Sequence, residues 1–198
     1  VITNTGIPRV PDSDSNYAAG FTYTDLESLF GVASLEYDID EHATFYVNAG
    51  AMTTDEEGVY GSFTLANAAT GDGTIRSSII PYESDNQAIE AGMRVRLGEA
   101  ITHEINFGGN INWKEERTAY DFRDNITSNL YYASDASLPP PGTPPVVGGN
   151  LDNPTPRAKS RIWSFFASDT VGFWNDRILL TGGLRLQTIR NRTFDYNT

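Results

Sequence analysis

The chain has two histidines, His42 and His103, and no cysteine. A zinc site needs His or thiolate ligands at short, fixed spacings, and these two histidines lie far apart on different expected hairpins. Neither is read as a metal ligand. The acidic run Asp55, Glu56, Glu57 lacks the alternating oxygen ligands of a calcium loop. No Gly-x-Ser-x-Gly elbow and no phosphate-binding GxxxxGK(S/T) loop occurs. No catalytic constellation is present, so no enzymatic activity and no bound cofactor is expected. What remains is a set of aromatics in two long polar stretches: Tyr60 and Tyr82 in the first, and Tyr120, Phe122, Tyr131 and Tyr132 in the second. Aromatic rings suit ligands that combine apolar with amide or catechol surface. The alternative is that they pack their own loops or form an interfacial girdle.

The elements that would carry these residues are strands. Aromatics make up 12% of the 198 residues and glycine contributes 18, a mix that favours strands and turns. The net charge of −12 excludes a nucleic-acid partner, which needs clustered Lys and Arg. No apolar run is long enough for a membrane helix. That leaves membrane strands open, because alternating strands keep mean hydropathy low. The first residues, "VITNTGIPRV", lack Met, a basic segment and an apolar segment. They are not a signal peptide, and the chain reads as an excerpt.

Period-two alternation marks six strands, at about 27–38, 43–53, 87–97, 101–114, 161–173 and 177–190. Ile89, Ala91, Met93, Val95 and Leu97 share one face, while Glu90, Arg94 and Arg96 share the other. Ile105, Phe107, Ile111 and Trp113 then alternate with Glu104, Asn106, Asn110 and Asn112. Such alternation predicts strands with one apolar and one wet face. Asp169 is the misfit in "WSFFASDTVGF". A bulge there, or the end of the apolar band, would account for it.

The turns within hairpins are short. The stretches at about 54–86 and 115–160 are long and are expected to be loops, the second being rich in Pro and Gly. Short turns at one end and long loops at the other are the pattern of a bacterial outer-membrane barrel. The expected fold is therefore all-β, an antiparallel meander of three long hairpins. A passive porin or adhesin barrel, or a soluble β-rich binding domain with the apolar face as core, shares the alternation.

Three stretches narrow this: "PDSDSNYAAGFTYTDLESLFGVASLEYDI", "HATFYVNAGAMTTDEE" and "FFASDTVGFWNDRILLTGGLRLQTI". In order, they resemble barrel segments of TonB-dependent siderophore receptors: a Pro–Asn–Tyr stretch leading to a GxxxxEYD strand, a xYxxxG strand, and an aromatic turn followed by an LTxGxRxQ strand. The resemblance implies an excerpt of a 22-stranded barrel in the outer membrane, with six main strands making about a quarter of it. It implies a ferric siderophore as transported ligand, contacted by the loop aromatics, and lipid around the barrel. It also implies energised uptake through TonB, which would act on a plug and TonB box that residues 1–198 do not contain. The open edges of an isolated excerpt invite self-association.

Overall fold

The computed structural model describes residues 6–132 and 135–196. Among these, every regular element is a strand: β1 (Tyr23–Asp38), β2 (Ala43–Leu65), β3 (Asp72–Ile79), β4 (Tyr82–Leu97), β5 (Ile101–Thr118), β6 (Tyr120–Asn129), β7 (Pro141–Gly148), β8 (Pro156–Phe173) and β9 (Ile178–Thr193). All nine belong to one antiparallel sheet.

The register reduces the nine strands to six ribs in chain order. β2 pairs β4 along its first part, Ala43–Glu56, and β3 along its last part, Val59–Leu65. β3 and β4 are thus one rib interrupted at Ile80–Pro81, where proline has no N–H to donate. β5 and β6 form the next rib, against β4 and β3 respectively. β7 and β8 form the next, against β6 and β5. β1 and β9 close the two sides.

The interruptions lie side by side. The Pro81 carbonyl accepts from Thr118 Oγ1 at 2.8 Å and from the Ala119 amide at 3.4 Å. Gly149, at φ 77°, packs against the Cβ of Ala119. A crease therefore crosses three ribs at Pro81, Ala119 and Gly149.

The expected loops are largely strand. Residues 54–65, 72–79 and 82–86 carry the second and third ribs far past the alternating region, and residues 120–129 and 141–148 do the same for the next two. The Pro-rich segment forms β7, which pairs only with β6. An edge position tolerates proline because no donor is needed on the free side. The three-hairpin meander becomes a nine-stranded sheet in which the β2–β3 hairpin closes at 66–71 rather than in a wide loop.

Among the described residues the sheet has no second layer. Every substantial contact between elements joins hydrogen-bonded neighbours. The chain exposes 13372 Å², against roughly 9,200 Å² for a compact monomer of its mass. Leu184 is 82% exposed and Leu186 74%. The buried apolar residues are few: Ala19, Tyr46, Val59, Leu65, Ile75 and Ala119. All but Tyr46 lie at the crease or above it, where residues 17–22 pack on the ribbon of β2, β3 and β6. The apolar face below the crease thus needs something outside these residues to cover it.

Direct cross-strand partners share a face, so rows can be read across the ribs. One face carries Val47, Ala91, Gly109, Phe165 and Leu186 in a row. Another row on it holds Phe45, Met93, Phe107, Ala167 and Leu184. The other face carries Ser34, Asn48, Glu90, Asn110, Ser164 and Gln187. Asp169 sits on the apolar face without any bulge, as the pairing with β5 and β9 is continuous there. Its Oδ2 lies 2.7 Å from His103 Nδ1 on the same face. The misfit is a local polar pair, and apolar residues continue beyond it at Val171 and Phe173.

The β8–β9 turn places Trp174, Asn175 and Asp176 at φ 52°, 56° and 59°. The left-handed region disfavours residues with a Cβ. The Asp176 carboxylate anchors the turn to the polar face by accepting from Arg96 at 2.9 Å and from the Thr102 hydroxyl. Gly172 leaves the space this carboxylate occupies.

Candidate functional site

On the polar face the period-two pattern runs unbroken through the crease. Glu56, Tyr82 and Thr118 form one row, and Tyr60, Ser78 and Phe122 another. Tyr120 lies two residues before Phe122, opposite Gly148, and its ring covers that glycine. Tyr60, Tyr82, Tyr120 and Phe122 therefore stand on one face of the upper sheet.

Their polar ends are held. The Tyr60 hydroxyl donates to Glu56. The Tyr82 hydroxyl donates to Glu116 Oε1 at 2.7 Å, and Lys114 Nζ donates to the same oxygen at 2.7 Å. Asn112 Nδ2 donates to Asn86 Oδ1 at 2.8 Å one row below. The rings of Tyr120 and Phe122 lie 5.0 Å apart, and Arg76 sits 4.3 Å over Phe122. Tyr120 also meets Tyr196 edge-on at 4.7 Å. The result is a wall of aromatic rings set among carboxylates, amides and two cations. Such a surface can grip a ligand by its apolar faces and orient it through hydrogen bonds.

Tyr131 and Tyr132 are elsewhere, at the upper tip. The Tyr131 ring covers Gly71, and its hydroxyl donates to the Arg9 carbonyl at 3.1 Å with the Arg9 guanidinium 4.9 Å from the ring. Tyr132 is 72% exposed. Glu56, Arg76 and Glu116 belong with the aromatic wall and were not read as site residues from the sequence, whereas Lys114 falls on the wet face that the alternation implies. The signal was available: Thr54, Glu56, Gly58, Tyr60 and Ser62 keep the parity of Asn48 and Met52. No group of three or more potential metal ligands exists among the described residues.

Charge pairing tightens the region just above the apolar rows. Lys114, with Tyr82 behind it, holds the Glu116 carboxyl below the usual carboxylate range. Lys159 first, then Arg117, does the same for Glu115, at 2.6 and 2.8 Å. Arg117 also reaches Asp85 at 3.0 Å and Glu83 at 3.3 Å. Burial, and then the bond to Glu56, raises the Tyr60 hydroxyl.

A depressed carboxyl contributes stability above its unfolded value and loses it as pH falls through the folded one. The network is fully present at neutral pH and dissolves on acidification below about pH 4. Amides of Lys114–Thr118 are expected to lose hydrogen-exchange protection between about pH 7 and pH 3, after correction for intrinsic rates. Amides of Phe107–Ile111, which lie outside the Lys114–Glu116 and Glu115–Lys159–Arg117 pairs, are expected to hold theirs. The pairs are partly exposed, so the effect is modest. Equal loss in both segments would remove the network as its cause.

No protein-family model matches the chain. It is 32% identical over 192 residues to the ferrichrome receptor FcuA of Yersinia enterocolitica, a match covering 96% of this chain and 25% of that protein. Its fold superposes with a TM-score of 0.73 on BauA, the ferric preacinetobactin receptor of Acinetobacter baumannii, at 20% identity. That match covers 94% of this chain and 28% of BauA. The chain thus spans about a quarter of the length of each. The likeness to siderophore receptors carried by the three sequence stretches is met in the comparison with FcuA, and the match to BauA is one of fold.

Proposed function

We propose that this chain is a stretch of barrel wall from an outer-membrane receptor for energised uptake of ferric siderophores. The single observation that carries the reading is the two-faced sheet, apolar on one side and wet on the other, with no covering layer. On β5 the apolar band runs from Ile101 to Trp113. Twelve steps of about 3.3 Å, tilted by about 45°, rise roughly 28 Å, close to the apolar belt of an outer-membrane barrel. Lipid then covers the apolar face, and the polar face lines the lumen.

Above the belt the lipid-facing apolar rows end, residues 17–22 pack on Val59 and Ile75 of the ribbon, and the ribs stand out into the medium as ribbons. The wall of Tyr60, Tyr82, Tyr120 and Phe122 faces the mouth of the lumen, where a ferric siderophore would be met. The chain performs no covalent chemistry and holds no cofactor of its own; iron is cargo. The remaining strands, to 22 in all, and the plug through which TonB acts lie outside these residues.

The test uses the full-length receptor in the outer-membrane fraction, with ferric ferrichrome as probe. Tyr82→Ala and Phe122→Ala are each expected to weaken binding about tenfold, near 1.4 kcal/mol. Binding that is unchanged in both, with normal heat-modifiable gel migration, would remove the aromatic wall from the ligand site. Recovery of the full-length protein from the soluble fraction would overturn the barrel itself.

A further inference from the structure

The His103–Asp169 pair stands deep within the apolar face. Asp169 lies in the row of Ile105, about 9 Å inside the lower limit of the apolar band at Ile101 for a strand rising about 3.3 Å per residue and tilted by about 45°. Among the described residues, no other Asp, Glu, His, Lys or Arg stands on this face between the rows of Ile101 and Ile111. The two side chains are 41% and 38% exposed. An ionisable group at such a depth is costly against hydrocarbon and is normally turned toward protein or water. Here the pair is turned outward, where a lone barrel offers neither.

The protonation of the pair fixes what it can bind. A net charge in hydrocarbon is the costliest state. Two arrangements carry none: imidazolium with carboxylate, and neutral imidazole with protonated carboxyl. In both, one proton lies in the 2.7 Å contact between His103 Nδ1 and Asp169 Oδ2, and His103 Nε2 keeps a second N–H that this contact does not use. Among the described residues, that N–H meets no acceptor. Asp169 Oδ1 is enclosed and also without a partner, and the exposed side of the group keeps acceptor capacity. One free donor and one free acceptor thus stand side by side.

The surroundings shape a dimple around them. Gly182 lies directly opposite Asp169, with open space where a Cβ would be. Ala167 is the next residue up on the same face, and Leu180 and Leu184, both largely exposed, rise on either side of Gly182. Small residues with a hydrogen-bonding group among larger apolar ones are how membrane-spanning segments approach one another closely.

We infer that this patch is the contact between two copies of the receptor in the membrane, related by a two-fold axis. A two-fold contact places the same patch on both partners. The Nε2–H of one His103 then donates to the Asp169 of the other copy, and the reverse bond follows by symmetry. Acyl chains carry no donor or acceptor and can answer neither group. Leu180 and Leu184 of each copy pack beside the other's Gly182. The inference rests on the barrel reading above, since it takes this face to lie in the bilayer.

The test uses the full-length receptor in isolated outer membranes. Residues 1–198 have no cysteine, so Leu180→Cys and Leu184→Cys are introduced one at a time and treated with a short membrane-permeant bis-maleimide. The receptor without the added cysteine is the blank. A product of twice the receptor's mass is expected on a denaturing gel from at least one of the two. Leu35→Cys, on the same face but on β1, is expected to give none. The double variant His103→Leu, Asp169→Leu suits lipid better than the wild-type pair, so heat-modifiable migration is expected to be kept. In that background the cross-linked fraction is expected to fall about tenfold or more, near the loss of two intramembrane hydrogen bonds. Undiminished cross-linking in the folded double variant overturns the proposal, as does equal cross-linking through Leu35→Cys. A product of any other mass would put a different protein on the patch and overturns it too. Whether or not the double variant folds, absence of the doubled product from both Leu180→Cys and Leu184→Cys is fatal to it. Absence of the receptor from the membrane fraction fells the barrel reading first, and is seen before any reagent is added.

Discussion

Phe107→Arg is expected to destabilise the full-length protein by about 2–4 kcal/mol, the cost of a cation near the bilayer midplane on a lipid-facing strand position. Phe107 lies midway between Ile101 and Trp113. Its row partners are Met93 on one side and Ala167, then Leu184, on the other. No charged side chain occupies that row. The contrast is the Asp169–His103 pair nearer the short turns, where each polar group has the other at 2.7 Å. An arginine at 107 would have no such partner. Gln187→Arg, on the polar face opposite Ser164, is the matched control and should change stability by less than about 0.5 kcal/mol. Urea midpoints for the protein refolded into lipid vesicles measure both. A cost below about 1 kcal/mol at position 107 would mean that this face does not meet hydrocarbon.

Gly92→Val is the second large effect, and it acts from the other face. The Tyr46 ring lies across Gly92, in a row that continues to Gly108. Tyr46 is 3% exposed, the most buried aromatic of the chain. Its hydroxyl donates to Asn106 Oδ1 at 3.1 Å, and the Arg94 guanidinium lies 4.8 Å from the ring. A Cβ on Gly92 would come within 2.5 Å of the Tyr46 hydroxyl and 2.7 Å of the Phe107 carbonyl. The ring can turn aside, but the carbonyl belongs to the neighbouring rib and cannot. Overpacking of this kind costs about 1–3 kcal/mol, and losing the Tyr46 hydrogen bond adds about 1 kcal/mol. In the Tyr46→Ala background the same substitution should cost at least about 1 kcal/mol less, the coupling expected of residues in contact. Full additivity would show that the ring and the glycine are independent.

The sequence made the lower sheet legible because lipid and lumen impose opposite demands on alternate residues. Ile89 through Leu97 and Ile101 through Trp113 read cleanly for that reason, and the register pairs them as the alternation implied. Above Trp113 the apolar rows end and only a few residues, Val59, Leu65 and Ile75 among them, are buried, so the strict alternation disappears. Residues 54–65 remain strand, but nothing apolar alternates in "TDEEGVYGS", so the ribbon looked like loop. Pro141, Pro144 and Pro145 likewise argued against a strand; they are tolerated because β7 lies at an edge.

The aromatic wall was half visible. Four of the six aromatics share a face because strand parity persists where hydrophobic contrast does not. Tyr131 could not be separated from them by sequence, since its place depends on the tight closure at Gly71. Asp169 drew notice as an exception within its own strand. Its explanation lies on the neighbouring rib, at His103, and pairing across ribs is not written in either strand alone.

Each rib of this sheet touches only the rib before it and the rib after it. Its cohesion is therefore one-dimensional, a sum of nearest-neighbour seams, as in stacked-repeat proteins. Damage at one seam weakens two ribs and leaves the others as they were. Assembly can proceed like a zipper, with each new rib reading its register from the last and closing only a short gap in sequence before its first bond. A wall made this way lengthens by adding hairpins, without redesign of those already in place.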